Sequence, residues 1–125
     1  MIFGIGIDMI EVDRVSRLLA RDSRFLDRVF TERERVYCEM KKNKAQNYAA
    51  RFAAKEAFLK AAGTGWRGGM TFRDVEVVNE ESGKPTIVVS GRAKSFVEEN
   101  GISDIQVSLT HIKSVAGAVV TLAKG

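Results

Sequence analysis

The chain has 125 residues, of which 45% are hydrophobic and 29% charged, with a formal net charge of +4. This bounds it to one globular domain over residues 1–125 and excludes a membrane protein, since no apolar run approaches the roughly 20 residues that a spanning helix needs. A single cysteine and a single histidine exclude an internal disulfide and a structural zinc site, while the positive balance favours an anionic partner. The N-terminus lacks the basic flank and cleavage site of a signal peptide, so a cytoplasmic protein is expected.

The first predicted element is a strand over residues 2–10, read from "MIFGIGIDMIEVDRV". Alternation puts Phe3, Ile5, Ile7 and Met9 on one face and Gly4, Gly6, Asp8 and Ile10 on the other. Asp8 thus shares its face with two glycines, and a glycine inside a strand marks close approach of a ligand or of another backbone. We take the gap as room for a ligand. A dinucleotide fingerprint is excluded, because its third glycine would fall at position 9, where Met9 stands.

Helical sequence follows from about Asp13 to Val29, with Arg14, Arg17, Arg21, Arg24 and Arg28 at three- and four-residue spacing. On one continuous helix these form a stripe: either an ordinary solvated face or a docking surface for an acidic partner. The "RDS" at 21–23 is a point where the helix can break. Thr31 with Glu34 fits a capping box, which predicts a helix over 32–42.

The strongest helix is "NYAARFAAKEAFLKAAGTG", predicted over 47–62 and stopped by Gly63. Ala50, Ala53, Ala54, Ala57 and Ala61 line one small-residue face, with Phe52 and Leu59 roughly opposite. Glu56 and Lys60 fall between them, one turn apart. They are either an ordinary i,i+4 pair or a partly buried functional pair. "GTGWRGG" at 63–69 is a glycine-rich turn that lacks the Gly-Lys-Ser/Thr ending of a phosphate loop. Strands are predicted at 72–78, 85–90, 105–111 and 115–122, with a short helix at 91–100. The irregular order points to an α+β fold with a largely antiparallel sheet and helices packed on it.

Asp8 and Glu56 together fit a hard-cation site. Mg²⁺ takes oxygen ligands and is held by one or two carboxylates plus substrate phosphates. Lys60, with Lys55 and Arg51, would neutralise further phosphate charge. This combination points to phosphate-plus-metal chemistry without naming a substrate.

"GIGIDMIEVDRV", "FTERE", "RFAAKEAFLKAAGTG", "SGKP" and "VSLTHIKSVAGAVV" resemble, in order and spacing, the holo-[acyl-carrier-protein] synthases, the small bacterial-type 4'-phosphopantetheinyl transferases. The resemblance covers almost the whole chain. It implies transfer of 4'-phosphopantetheine from coenzyme A to a serine of apo acyl carrier protein, releasing adenosine 3',5'-bisphosphate, in fatty acid biosynthesis. It implies Mg²⁺ held by Asp8 and Glu56, with Lys60 on coenzyme A phosphate as the third catalytic residue. Arg51, Gly63, Thr64, Gly65, Pro85 and His111 match positions associated with the coenzyme A site, and Lys55 is placed with them. Acyl carrier proteins are acidic, which makes Arg14, Arg21 and Arg24 the expected docking residues. A homotrimer with active sites between subunits is implied as well.

A base must accept the serine proton. The nominee is a water activated by Asp8 and Glu56, with Glu32 and Glu34 as helpers. In "HIKSVAG" the family often has an acidic residue and Tyr where Ser114 and Val115 stand, so any contact made there is lost or replaced. On the residues alone His111 reads as a structural histidine; the resemblance turns it toward phosphate. Two other readings stand behind this one. A nucleic-acid-binding module draws on the arginine stripe but lacks aromatics interleaved with the basic residues. A purely structural oligomer would use Asp8 and Glu56 at a subunit interface. No nucleic acid and no membrane are expected as partners.

Overall fold

The structure, a computed structural model, describes residues 1–64 and 69–125. In chain order it has β1 (Ile2–Glu11), α1 (Val12–Arg21), α2 (Ser23–Val29), α3 (Glu32–Glu39), α4 (Lys44–Ala62), β2 (Val75–Asn79), β3 (Pro85–Val89), α5 (Gly91–Glu99), β4 (Ile102–His111) and β5 (Val115–Lys124). The α+β expectation holds, with antiparallel pairing throughout, but the strands divide into two sheets. One has the order β1-β5-β4 and the other is the β2-β3 hairpin.

Local signals account for most boundaries. Thr31 accepts from the Glu34 amide while Glu34 accepts from the Thr31 amide, the reciprocal cap that starts α3. Gly63 ends α4 in the left-handed region at φ 78°, which a residue with a Cβ resists. The predicted helix over 13–29 is two helices: Asp22 is extended at φ −129° and its side chain caps α2 through the Arg24 amide. Residues 72–74, expected as strand, form a 3₁₀ turn before β2.

α4 is the spine of the molecule, packing on β1, β5 and β4 through Ala53, Ala54, Ala57 and Ala61, all buried. A Cβ on Gly4 would lie 1.9 Å from the Ala61 carbonyl oxygen, and one on Gly6 would lie 1.9 Å from that of Ala57. The gap beside Asp8 is therefore filled by a helix backbone, which corrects the expectation that it is room for a ligand. The spacing has a simple origin. Two residues of strand advance about 6.8 Å and four of helix about 6 Å, so the glycines and alanines stay in step as strand and helix run in opposite directions.

Gly6→Ala is expected to destabilise the fold. Restricting the unfolded chain would favour alanine by about 0.4–1 kcal/mol, but the clash is with backbone, which cannot swing aside as a side chain would. We expect a net loss of about 3 kcal/mol in urea denaturation; a stability equal to or above the parent's would refute this close packing.

The other face of β1 is exposed: Ile5, Ile7 and Met9 are 63%, 64% and 69% accessible. They run beside Thr121, Val119 and Gly117 of β5. β1 is thus buried on its glycine face.

Candidate active site

The close packing of β1 on α4 determines which side chains meet. Asp8 is the next residue after Gly6 on the helix-facing side of β1, so it reaches α4 beside Glu56 and Lys60. Lys60 Nζ donates to Asp8 Oδ1 at 2.9 Å and to the Ile7 carbonyl at 3.1 Å. Helical side chains lean toward the helix N-terminus, and that is where Asp8 lies. Of the two readings of Glu56 and Lys60, the ordinary i,i+4 pair is not made, because Asp8 takes the ammonium instead. The Asp8 side chain is 17% accessible and that of Lys60 55%.

Glu56 is half-buried, and among the described residues its carboxylate has no hydrogen bond or ion pair. Burial first, and then the charge of Asp8, push its carboxyl above the usual range, against the pull of Lys60 and Arg14. Two adjacent carboxylates, one without a partner, are a donor set that suits Mg²⁺. Among the described residues no group of three acidic, histidine or cysteine side chains adds a further protein ligand, so water and phosphate oxygens would complete the shell.

Three of the other nominated residues converge. Arg51, Pro85 and His111 line one cleft of about 440 Å³, together with Lys84 and Asn79. Arg51 is 2% accessible, donates from Nη2 to Asn79, and lies 4.1 Å from the Tyr37 ring centroid. Its Nε has no partner among the described residues. Lys84 and Asn79 were not nominated from sequence; the turn lysine directly before Pro85 was the available signal. Gly63 and Thr64 line a separate cleft of about 300 Å³ with Arg92 and Ser95. Gly65 lies outside the described residues.

Lys55 belongs elsewhere. Its side chain is fully buried, 2.8 Å from Glu34 Oε1, and Nζ donates to the carbonyls of Phe72 at 2.9 Å and Val75 at 2.6 Å. All three donors are used inside the protein, which corrects its placement among phosphate-binding residues. Glu34 is likewise withdrawn as a helper to the base: it is fully buried, with Oε2 accepting from the Val77 amide at 2.8 Å. Glu32 is exposed at the start of α3.

The arginines do not form one stripe. Arg17 pairs with Asp13, and Arg24 and Arg28 approach Asp22 at 3.8 and 3.4 Å around the break. Arg14 and Arg21 are exposed on α1 and have no ion pair among the described residues. Arg14 is near enough to Glu56 to affect its ionisation, so the basic surface borders the carboxylate site.

The chain is similar to known proteins over nearly its whole length. Residues 4–121 match the model of the 4'-phosphopantetheinyl transferase superfamily. The chain is 45% identical over 125 residues to a holo-[acyl-carrier-protein] synthase of Geotalea daltonii, covering 99% of this chain and 100% of that protein. The crystal structure of the holo-[acyl-carrier-protein] synthase from Neisseria meningitidis superposes with a TM-score of 0.90 at 34% identity, covering 99% and 100% of the two chains. That of Bacillus anthracis, solved in complex with coenzyme A (3',5'-ADP), superposes with a TM-score of 0.83 at 37% identity, covering 100% and 99%.

Proposed function

The chain belongs to the holo-[acyl-carrier-protein] synthase family of the 4'-phosphopantetheinyl transferase superfamily, and on that premise we propose that residues 1–125 are one domain that transfers 4'-phosphopantetheine from coenzyme A to a serine of apo acyl carrier protein in a Mg²⁺-dependent reaction. The observation that carries this reading is the meeting of Asp8, Glu56 and Lys60 at the packed β1–α4 contact. The serine oxygen forms a bond to the pantetheine-side phosphorus, the pyrophosphate bridge breaks, and adenosine 3',5'-bisphosphate leaves with the bonding pair.

Asp8 and Glu56 would hold the cation. Bound there, Mg²⁺ would neutralise charge on the pyrophosphate oxygens and hold the reacting phosphorus in line. Lys60 contributes a positive charge to the phosphate from the exposed side of the same site. A water held by Asp8 and Glu56 accepts the serine proton. Arg51, Lys84, Pro85 and His111 suit the adenosine and 3'-phosphate end: the cleft is basic, and the Arg51 Nε is a buried donor with no acceptor among the described residues. Gly63, Thr64 and Gly65 fall to the coenzyme as well.

Arg14, Arg21 and Arg24 are the docking residues for the acidic carrier, and the position of Arg14 beside Glu56 supports this. Reversing Arg14 and Arg21 to Glu is expected to raise the KM for carrier protein about tenfold or more, steeply dependent on salt, and to leave coenzyme A affinity unchanged. A parallel loss of coenzyme binding would assign these arginines to the coenzyme instead. The exposed Ile5, Ile7 and Met9 face supports assembly into a homotrimer, with active sites between subunits. The product serves fatty acid biosynthesis, and a cytoplasmic location fits the single buried cysteine.

The test is intact-mass spectrometry of apo acyl carrier protein incubated with this protein, coenzyme A and Mg²⁺. A mass increase of one phosphopantetheine arm that disappears on chelating the metal establishes the reaction. No increase with any carrier protein refutes it.

A further inference from the structure

Lys60 makes a bond that a phosphate-binding lysine does not need. Its ammonium is 2.9 Å from Asp8 Oδ1 and 3.1 Å from the Ile7 carbonyl, while Glu56, one turn away on its own helix, has no ion pair among the described residues. One oxygen of Asp8, Oδ1, is thus engaged by a positive charge supplied by the protein itself.

We propose that Lys60 is a resident stand-in for the divalent cation: it occupies Asp8 in the free protein and must move to the incoming pyrophosphate before a metal can take that carboxylate. The inference rests on the metal and coenzyme site proposed above and adds an order of events to it. Mg²⁺ requires oxygen ligands at about 2.0–2.1 Å in near-ideal octahedral geometry, and an ammonium held 2.9 Å from Oδ1 already neutralises the carboxylate charge that would draw the ion in. The two positive charges also repel across a few ångströms. The lysine side chain is free to leave, being 55% accessible on a flexible four-carbon stem. Glu56, without a partner and half-buried beside Asp8, is left poised for the arriving cation.

Metal and coenzyme binding are then coupled. Coenzyme A gives the ammonium another anion, which frees Asp8; the metal neutralises the carboxylates that would otherwise repel the pyrophosphate. Each must strengthen the other by the same factor. The free protein avoids binding cellular cations at a site whose substrate is absent, and two neighbouring carboxylates do not stand uncompensated.

The experiment is Mn²⁺ titration followed by the electron paramagnetic resonance signal of the free ion. It uses the wild-type protein, Lys60→Met, Lys60→Arg and Asp8→Asn, each with and without coenzyme A, with folding checked by circular dichroism. Without coenzyme A, Lys60→Met is expected to bind Mn²⁺ about tenfold more tightly than wild type, and Lys60→Arg about as weakly as wild type. With coenzyme A the sign reverses, and Lys60→Met binds more weakly, because the ammonium no longer bridges to phosphate. Tightening in both states would mean a fixed charge that only repels the metal, and would overturn the relocation. No tightening in the free protein, with binding still abolished by Asp8→Asn, would overturn the stand-in role and leave the metal site intact. Mn²⁺ binding that is absent throughout, or indifferent to Asp8→Asn, would remove the metal site and this inference with it.

Discussion

In Glu56→Gln, transfer of phosphopantetheine is expected to fall by about a thousandfold or more, equivalent to about 4 kcal/mol of lost transition-state stabilisation. Glutamine keeps the shape and removes the charge, so the loss reports on the carboxylate rather than on packing. The same variant should melt at or above the temperature of the parent in metal-free buffer. Burial and the neighbouring charge of Asp8 raise the Glu56 carboxyl, so the folded protein holds that proton more tightly than the unfolded chain. Its stabilising contribution is full below the ordinary carboxylate range and is lost as pH rises through the raised value. At neutral pH the parent carries that cost and the variant does not. By the same sign, metal affinity should weaken on acidification earlier than an ordinary carboxylate would allow, since the ligand must be deprotonated. Transfer that survives the substitution would remove Glu56 from the site, and a lower melting temperature would show that its charge is structural. Side-by-side intact-mass assays and thermal melts decide both.

Lys55→Met should unfold far more easily than the parent, by about 3–5 kcal/mol, because it leaves Glu34 buried without its counter-charge. Lys55 and Glu34 are both fully buried. Lys55 ties α4 to the carbonyls of Phe72 and Val75, and Glu34 ties α3 to β2 through the Val77 amide. The pair therefore joins α3, α4 and the β2–β3 hairpin, which among the described residues has no hydrogen-bond ladder to the other sheet. Combining Lys55→Met with Glu34→Gln should cost less than the sum of the two, since the stranded charge is gone. Strict additivity in urea denaturation would show that the two side chains act independently.

Much of this architecture was legible in the residues. The reciprocal Thr31 and Glu34 cap, the Gly63 stop and the alanine face of the long helix are local or periodic features, and each appeared where expected. Two boundaries shifted because local bonds intervened: Asp22 caps a second helix, and Thr71 with Asp74 makes a turn where strand was expected.

The sequence by itself determined the α+β class and the family, and it singled out carboxylates at 8 and 56 with a lysine at 60. It did so because turn signals, helical period and motif spacing are properties of neighbouring residues. Only the tertiary structure decided which lysine is spent inside the protein, since Lys55 and Lys60 lie on the same helix and differ in what packs over them. It also decided what the glycines beside Asp8 are for. Alternation says which side chains share a face but not what covers that face. Here the cover is the backbone of Ala57 and Ala61 from some 50 residues away, and this long-range contact brings Asp8 to Glu56.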